Sequence, residues 1–232
     1  MKILALETSA VSASVAVCDD EALIAQSFQR TGLTHSATLM PMLEDMLKNA
    51  GMSLSDIDLI AVAAGPGSFT GLRIGVSAAK GLAWSLDKPC AAVSTLEAMA
   101  WQLIGMNGIV CAAMDARRQQ VYNALFDLQD GKPVRLTPDR AISLEELGAE
   151  LDKIKNMQIL VGDGAYLCYN AFQSKGYPVQ MPPAHLQFQT AWGVARSALE
   201  QARLGQLTDA AGLTPNYHRL SQAERERLAK QS

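Results

Sequence analysis

The residues best suited to chemistry form a glycine-rich loop, Gly65-Pro66-Gly67-Ser68-Phe69-Thr70-Gly71-Leu72-Arg73. The loop follows an apolar run, residues 59–64, and precedes a Gly/Ala-rich helical pattern, which predicts a strand–loop–helix junction. Ser68 or Thr70 can cap that helix, and free N–H groups at a helix N-terminus attract anions. The loop lacks the Lys and Ser/Thr of a P-loop and the glycine spacing of a dinucleotide fingerprint. Two interpretations stay open: a tight turn that starts a buried helix, or an anion site.

Side chains for other chemistries are scattered along the chain. No two of the histidines lie near each other in sequence; they are His35, His185 and His218. A nucleophile elbow around Ser68 would need glycine two residues to either side, where Pro66 and Thr70 stand. We therefore predict no catalytic residue and no metal site.

Composition is typical of an ordinary globular protein of 232 residues, enough for one large domain or two small lobes. The net charge of −3 argues against a protein that binds nucleic acid by itself, because such proteins usually carry a basic face. The cysteines are widely spaced, which predicts buried thiols in a reducing compartment; they are Cys18, Cys90, Cys111 and Cys168. No apolar run reaches membrane-spanning length, so we expect a cytoplasmic protein with no membrane partner.

A weak internal duplication organises the chain. Strands are predicted at Lys2–Glu7, Ser12–Cys18 and Ala22–Gln29, and again at Ile109–Met114, Gln119–Leu128 and Pro133–Thr137. Helices are predicted at Ser36–Ala50, Thr70–Leu86, Ser94–Gly105, Ser143–Ile154, Tyr166–Lys175 and Thr190–Leu204, with a strand at Gln158–Val161. Pro41 suits a first helical turn, so regular helix in the first of these segments is expected to begin near Met40. A β-meander followed by helices thus occurs twice.

The chain resembles the TsaB (YeaZ) family, whose members belong to the bacterial system that makes threonylcarbamoyladenosine in tRNA. The resemblance extends in order through nearly the whole length. Besides the glycine-rich loop, the segments that carry it are Met1–Ser9, Val93–Glu97, Asp115–Arg118 with Val121-Tyr122, and Thr214–Leu220.

The duplicated pattern resembles the actin-like ATPase (ribonuclease H-like) superfold. This implies an α/β protein of two lobes, each a β-meander plus helices, with the second lobe eroded. We expect residues 1–106 to form the first lobe, with the dimerisation helices, and residues 107–232 the second, with the C-terminal helix and tail.

In that superfold, the turn after the first strand of each lobe holds nucleotide phosphates through an Asp, a nearby Gly and a hydroxyl residue. The turns here are Glu7-Thr8-Ser9 and Asp115-Ala116-Arg117; neither contains glycine, and Glu7 stands where the family generally has Asp. They are expected to be polar turns that cap strands or degenerate nucleotide contacts. The residues concerned are Thr8, Ser9 and Asp115, with Gly162 and Gly164 where such folds approach an adenosine. We expect no cofactor, with weak ATP or ADP binding at most, at an interface with TsaD.

The resemblance also bears on metal binding. The paralogous transferase TsaD carries a His-x-x-x-His metal motif on the helix that follows the strand equivalent to the one ending near Val93-Ser94. Thr95 and Met99 stand at the equivalent positions here, and neither is a credible iron or zinc ligand.

Two predicted helices, Ser36–Ala50 and Thr70–Leu86, carry wide apolar and small-residue stripes. The resemblance implies that these helices pair with a second copy or with TsaD. The predicted interface residues are Leu39, Leu43, Met46, Leu47, Leu72, Gly75, Val76, Ala79 and Leu82.

The resemblance implies a non-catalytic scaffold that binds TsaD and TsaE and contacts tRNA only through the complex. That complex modifies the adenosine next to the anticodon in tRNAs that read ANN codons. The alternative is a nucleotide-dependent enzyme of the actin/sugar-kinase superfold or a glycoprotease-like peptidase. The missing glycines and the missing histidine pair favour the scaffold.

Overall fold

The computed structural model describes residues 1–129 and 131–218. The first half contains β1 (Lys2–Glu7), β2 (Ala13–Asp19), β3 (Ala22–Gln29), α1 (His35–Asn49), β4 (Leu59–Gly65), α2 (Phe69–Leu86), β5 (Cys90–Ser94) and α3 (Thr95–Trp101). The second half contains β6 (Gly108–Asp115), β7 (Gln120–Gln129), β8 (Lys132–Arg135), β9 (Arg140–Ser143), α4 (Leu144–Leu151), β10 (Gln158–Val161), α5 (Ala165–Gln173), β11 (Val179–Gln180) and α6 (Ala191–Arg203).

The two halves build equivalent mixed sheets. The first has the order β3-β2-β1-β4-β5, in which β1 runs antiparallel to β2 and parallel to β4. The second has the order β11-β10-β6-β7-β8, in which β6 runs antiparallel to β7 and parallel to β10. Strand β9 also pairs with β7. The predicted duplication is confirmed, and the α/β architecture is that of the actin-like ATPase superfold.

Helices cover both faces of each sheet. Alternate residues of β1 explain the first sheet: Leu4 and Leu6 pack toward α1 and α2, whereas Ile3 and Ala5 pack toward α6. In the second sheet, one face packs on α4 and α5 and the other on α3. Because α3 and α6 also pack against each other, the molecule has five layers with these two helices in the middle.

Each of the two central helices packs on the sheet that the other half of the chain builds. Helix α6, which the sequence analysis assigned to the second lobe, packs on the first sheet, and α3 packs on the second. Their close contact depends on Gly193, where a Cβ atom would lie only 2.1 Å from the carbonyl oxygen of Ala98. A division of the chain at residue 106 therefore does not describe how the lobes pack, because each sheet is covered on one face by a helix from the other half.

The predicted interface residues lie in the core of the first lobe. None of the eight with a side chain is more than 8% exposed; they are Leu39, Leu43, Met46, Leu47, Leu72, Val76, Ala79 and Leu82. All but Leu72, which lines a cleft, pack in the core cluster on the first sheet. A Cβ on the ninth, Gly75, would lie 2.3 Å from Thr8 Oγ1 of the same lobe. These residues are not available to a partner, because the apolar stripe of each helix is needed to cover its own sheet. The exposed faces of the same helices carry Met40 and Trp84 instead.

Element boundaries differ from the predictions where local signals conflict. Helix α1 begins at His35, with Pro41 inside it, rather than near Met40. Helix α3 ends at Trp101, four residues before the predicted end at Gly105. The short strands β9 and β11 were not predicted, because edge strands of four and two residues carry little periodicity. The four cysteines are buried free thiols, as predicted.

Two glycines of α2 provide a matched test of this packing. Gly75→Ala should lower the free energy of unfolding by about 1–3 kcal/mol, because its Cβ overlaps Thr8. Gly81→Ala should raise it by up to about 1 kcal/mol, because a Cβ there meets no atom within 4 Å and alanine favours helix. Urea unfolding measures both values. A Gly75→Ala protein as stable as Gly81→Ala would show that the Thr8 turn does not pack on α2.

Candidate functional site

The candidate site is a cleft of about 420 Å³ between the carboxyl ends of the central strands of both sheets. Its walls come from the turns after β1, β4, β6 and β10 and from residues 216–218. Two of the predicted nucleotide-contact residues, Ser9 and Asp115, line this cleft. The other three, Thr8, Gly162 and Gly164, lie outside the lining for reasons of packing.

The Thr8–Ser9 turn is packed onto the beginning of α2. The Thr8 hydroxyl donates to the Gly71 carbonyl at 2.8 Å, and the Ser68 N–H donates to the Ser9 carbonyl at 2.7 Å. A Cβ on Gly67 would lie 2.5 Å from the Ser9 oxygen, and one on Gly71 would lie 2.1 Å from the Thr8 oxygen. The loop glycines are thus required by the approach of another backbone, which favours the tight-turn interpretation over the anion site.

Ser68 is committed to the helix rather than to chemistry. Its hydroxyl accepts a hydrogen bond from the Gly71 N–H at 3.3 Å and caps α2, one of the two caps predicted. His35 has a structural contact as well, since its Nε2 lies 2.7 Å from the Ala10 carbonyl oxygen.

The glycines after β10 pack on the neighbouring strand. A Cβ on Gly162, whose φ is +107°, would lie 2.3 Å from the Ala113 oxygen, and one on Gly164 would lie 2.8 Å from the Met114 carbonyl carbon. Asp163 between them lines the cleft. Asp163 was not predicted as a site residue; the available signal was an acidic residue at the carboxyl end of a buried strand.

In the turn after β6, the carboxylate of Asp115 accepts hydrogen bonds from a residue of the same turn. Asp115 accepts hydrogen bonds from the Arg117 N–H at 2.7 Å and from the Arg117 guanidinium at 3.4 Å. Three successive residues, Arg117, Arg118 and Gln119, have φ values of +66°, +55° and +59°. Side chains other than Asn, Asp and Gly rarely adopt this left-handed conformation. The turn after β6 is therefore closed by an internal ion pair on a left-handed backbone.

Glu7 is a fully buried carboxyl at the end of β1. Its Oε1 accepts a hydrogen bond from the Ser9 N–H at 2.6 Å. Burial raises the pKa of Glu7 to about 7, and the negative charge of Asp163 across the seam acts in the same direction. Burial also raises the pKa of Asp163, although Gln189 donates a hydrogen bond to its Oδ1 at 3.0 Å.

These acids set the charge of the cleft. Asp115 and Asp163 line the cleft together with Arg117 and His218, and Glu7 is buried beside the turn after β1. Like charges at short range disfavour each other, so a triphosphate would meet repulsion there unless a cation accompanied it.

The residues at the presumed metal positions lie in the core. Thr95 and Met99 are fully buried where α3 packs on the second sheet. Within residues 1–129 and 131–218, no group of three or more His, Cys, Asp or Glu side chains could hold a metal ion. The same part of the chain contains no helix long and apolar enough to cross a membrane.

Two meander-and-helix units lie around a shared cleft, and each has a polar turn without glycine after its first strand. This arrangement defines a member of the actin-like ATPase superfold. The family model of TsaD, tRNA N6-adenosine threonylcarbamoyltransferase, matches residues 29–226.

Comparison with individual relatives shows to which family within this superfold the chain belongs. A tRNA threonylcarbamoyladenosine biosynthesis protein TsaB of Bacillus subtilis (strain 168) is 36% identical and aligns over 97% of this chain and 96% of its own length. The TsaB of Escherichia coli (strain K12) is 43% identical over 54% of this chain and 55% of its own. The solved structure of YeaZ from Pseudomonas aeruginosa superposes with a TM-score of 0.80 at 28% identity, covering 93% of this chain and 99% of that one. The chain belongs to the TsaB (YeaZ) family.

The buried acid predicts a pH-dependent stability. Between about pH 4.5 and pH 7, folded Glu7 keeps a proton that the unfolded chain releases, so its contribution to the free energy of unfolding falls as pH rises. Above pH 7 the loss is complete, at about 3 kcal/mol as an upper bound. Glu7→Gln keeps an acceptor for the Ser9 N–H and has no charge to bury. It should therefore be more stable than the wild type at pH 8, with the gain shrinking toward pH 5.

Chemical denaturation at several pH values measures this difference. The exposed Glu44→Gln substitution is the control and should leave the pH profile unchanged. A Glu7→Gln protein whose stability parallels the wild type at every pH would mean that Glu7 stays ionised when buried.

Proposed function

We propose that this chain is a non-catalytic scaffold and dimerisation subunit of the cytoplasmic complex that makes threonylcarbamoyladenosine in tRNA. In this proposal the chain forms a homodimer and a heterodimer with TsaD, and the complex includes TsaE. The complex modifies the adenosine next to the anticodon in tRNAs that read ANN codons. Support comes from relatives named as biosynthesis proteins of this modification and from the TsaD family model that matches most of the chain.

The main support for the non-catalytic role is the geometry of the two turns that line the cleft. The turn after β6 is closed by the Asp115–Arg117 pair, and the turn after β1 begins with the buried acid Glu7. Any ATP or ADP should therefore bind weakly, at an interface with TsaD rather than between the lobes. The peptidase alternative gains no support from this geometry, because the Ser68 hydroxyl is used as a helix cap.

The exposed side of α1 and α2 is the best candidate for the partner surface. Trp84 is 72% exposed and Met40 is 43% exposed, and each lies on the side of its helix that faces away from the sheet. A large exposed aromatic side chain is a common anchor of protein interfaces. Gly81, next to Trp84 on α2, leaves open space that allows another helix to approach closely. A second copy and a paralogous partner of the same fold could use the same surface.

A reconstituted modification reaction tests the proposed function. The purified chain alone should transfer no threonylcarbamoyl group to tRNA and hold no stoichiometric iron or zinc, because Thr95 and Met99 occupy the presumed ligand positions. Addition of TsaD and TsaE should produce modified adenosine, detected by mass spectrometry of digested tRNA, and omission of this chain should abolish it. Robust modification by this chain without TsaD would disprove the scaffold role.

Trp84 tests the partner surface. Trp84→Glu should abolish self-association and reduce capture of TsaD at least tenfold, since loss of a buried aromatic anchor costs about 2 kcal/mol or more. Sedimentation velocity and a pull-down measure the two effects, and circular dichroism checks the fold. Tyr166→Glu is the matched control, because Tyr166 is a 63% exposed aromatic residue on α5. If Trp84→Glu assembles as the wild type does, the partner surface lies elsewhere.

A further inference from the structure

Four arginines lie at the edge of the molecule where the cleft opens. Arg30 follows β3, whose end pairs with the beginning of β2 next to the turn after β1. Arg73 is in the first turns of α2, just beyond β4. Arg117 and Arg118 follow β6. Because β1, β3, β4 and β6 all end on this side of the molecule, the four arginines, which we call the arginine rim, are placed on the same side, and all four are exposed.

Two of these arginines rest on aromatic rings. The Arg73 guanidinium lies 3.9 Å from the centre of the Phe69 ring, and its Nε donates to the Tyr217 hydroxyl at 3.0 Å. Tyr217 in turn stacks on Phe69, with the ring centres 4.7 Å apart. The Arg30 guanidinium lies 4.0 Å from the centre of the Phe188 ring. Both pairs place an arginine in a fixed position at the surface without neutralising its charge.

The other two arginines are held outward by the turn itself. Arg117 and Arg118 have left-handed backbones, a conformation that costs about 1–2 kcal/mol per residue for most side chains. The Arg117 side chain is 87% exposed, so no packing gain of its own offsets this cost. Among the described residues, Arg30, Arg73 and Arg118 form no ion pair with a carboxylate, and Asp115 pairs with Arg117 alone. The rim therefore presents a net positive charge on a chain of net charge −3.

We propose that the arginine rim binds RNA: it contacts the phosphates and exposed bases of the tRNA held by the assembled complex. This rests on the proposed function and adds a direct RNA contact to it. Arginine pairs with phosphate through several donors and stacks on bases, and arginine–aromatic pairs are common platforms for unpaired nucleotides. An acidic protein is a less suitable partner for the arginine rim than RNA, because protein interfaces are built around an apolar centre. The chain has such a surface around Trp84, on the outer face of α2.

The test compares two double variants in the complex with TsaD. Arg117→Asn/Arg118→Asn removes two charges and keeps the turn, because asparagine tolerates the left-handed conformation. Lys153→Asn/Lys155→Asn is the matched control, with two exposed lysines in the loop before β10, at the opposite edge of the sheet. The affinity for tRNA is measured at several salt concentrations, and capture of TsaD is measured separately.

The arginine variant should bind tRNA roughly tenfold more weakly at low salt, with a salt slope reduced by about 2, and should capture TsaD normally. The lysine variant should match the wild type in both. Equal tRNA affinity of the arginine variant and the control would overturn the proposal, and so would loss of TsaD capture by the arginine variant, which would assign the rim to a protein partner. If the wild type fails to capture TsaD, the proposed function fails instead. In that case the rim is tested by crosslinking tRNA to the isolated chain at low salt and high protein concentration, and equal crosslinking yields from the arginine variant and the lysine control overturn the inference.

Discussion

The packing of the Thr8–Ser9 turn into the start of α2 is the contact on which the rest of the structure depends. Three glycines one helical turn apart or closer, Gly67, Gly71 and Gly75, remove every Cβ that would keep the turn away. The turn then supplies a carbonyl acceptor to Ser68 N–H and a hydroxyl donor to Gly71. This contact fixes the end of β1 against α2, and as a result it buries Glu7 and sets one wall of the cleft.

A second constraint joins the two halves. The swapped helices α3 and α6 meet through Gly193 and the backbone of Ala98, in a layer shared by both sheets. Gln102 strengthens the layer, because its side-chain amide donates to the carbonyls of Leu186 and Phe188 and accepts from the Thr190 hydroxyl. Since each sheet is covered by a helix from the other half, neither half has a complete core without the other.

The sequence was informative where one physical signal dominated. Alternating and continuous apolar runs located the strands of both meanders, and the first and last β-strands of the first one, Lys2–Glu7 and Ala22–Gln29, have the predicted bounds. The Ser68 cap and the buried cysteines followed from residue type. The function of the stripe on α1 and α2 could not be obtained in this way, because an apolar face that covers its own sheet and one that meets a partner have the same periodicity. Only the three-dimensional structure separates Leu43, which faces the core, from Trp84, which faces solvent.

Prediction of the candidate site from the sequence was limited for a similar physical reason. Ser9 and Asp115 were found because they stand at strand ends, whereas Asp163 and the Arg117 backbone were missed, since charge clustering and positive φ depend on neighbours distant in sequence.

Internal contacts hold the turns on both sides of the cleft. In the superfold, phosphates are gripped by the turns of both lobes. In this chain the Asp115–Arg117 pair closes one turn, and the Asn216 N–H donates to the Ala64 carbonyl at 2.7 Å while Tyr217 stacks on Phe69 at the other. The turns on each side of the cleft are thus held by contacts within the chain itself. In the scaffold role proposed above, such contacts keep the surfaces that the chain presents to other molecules in place.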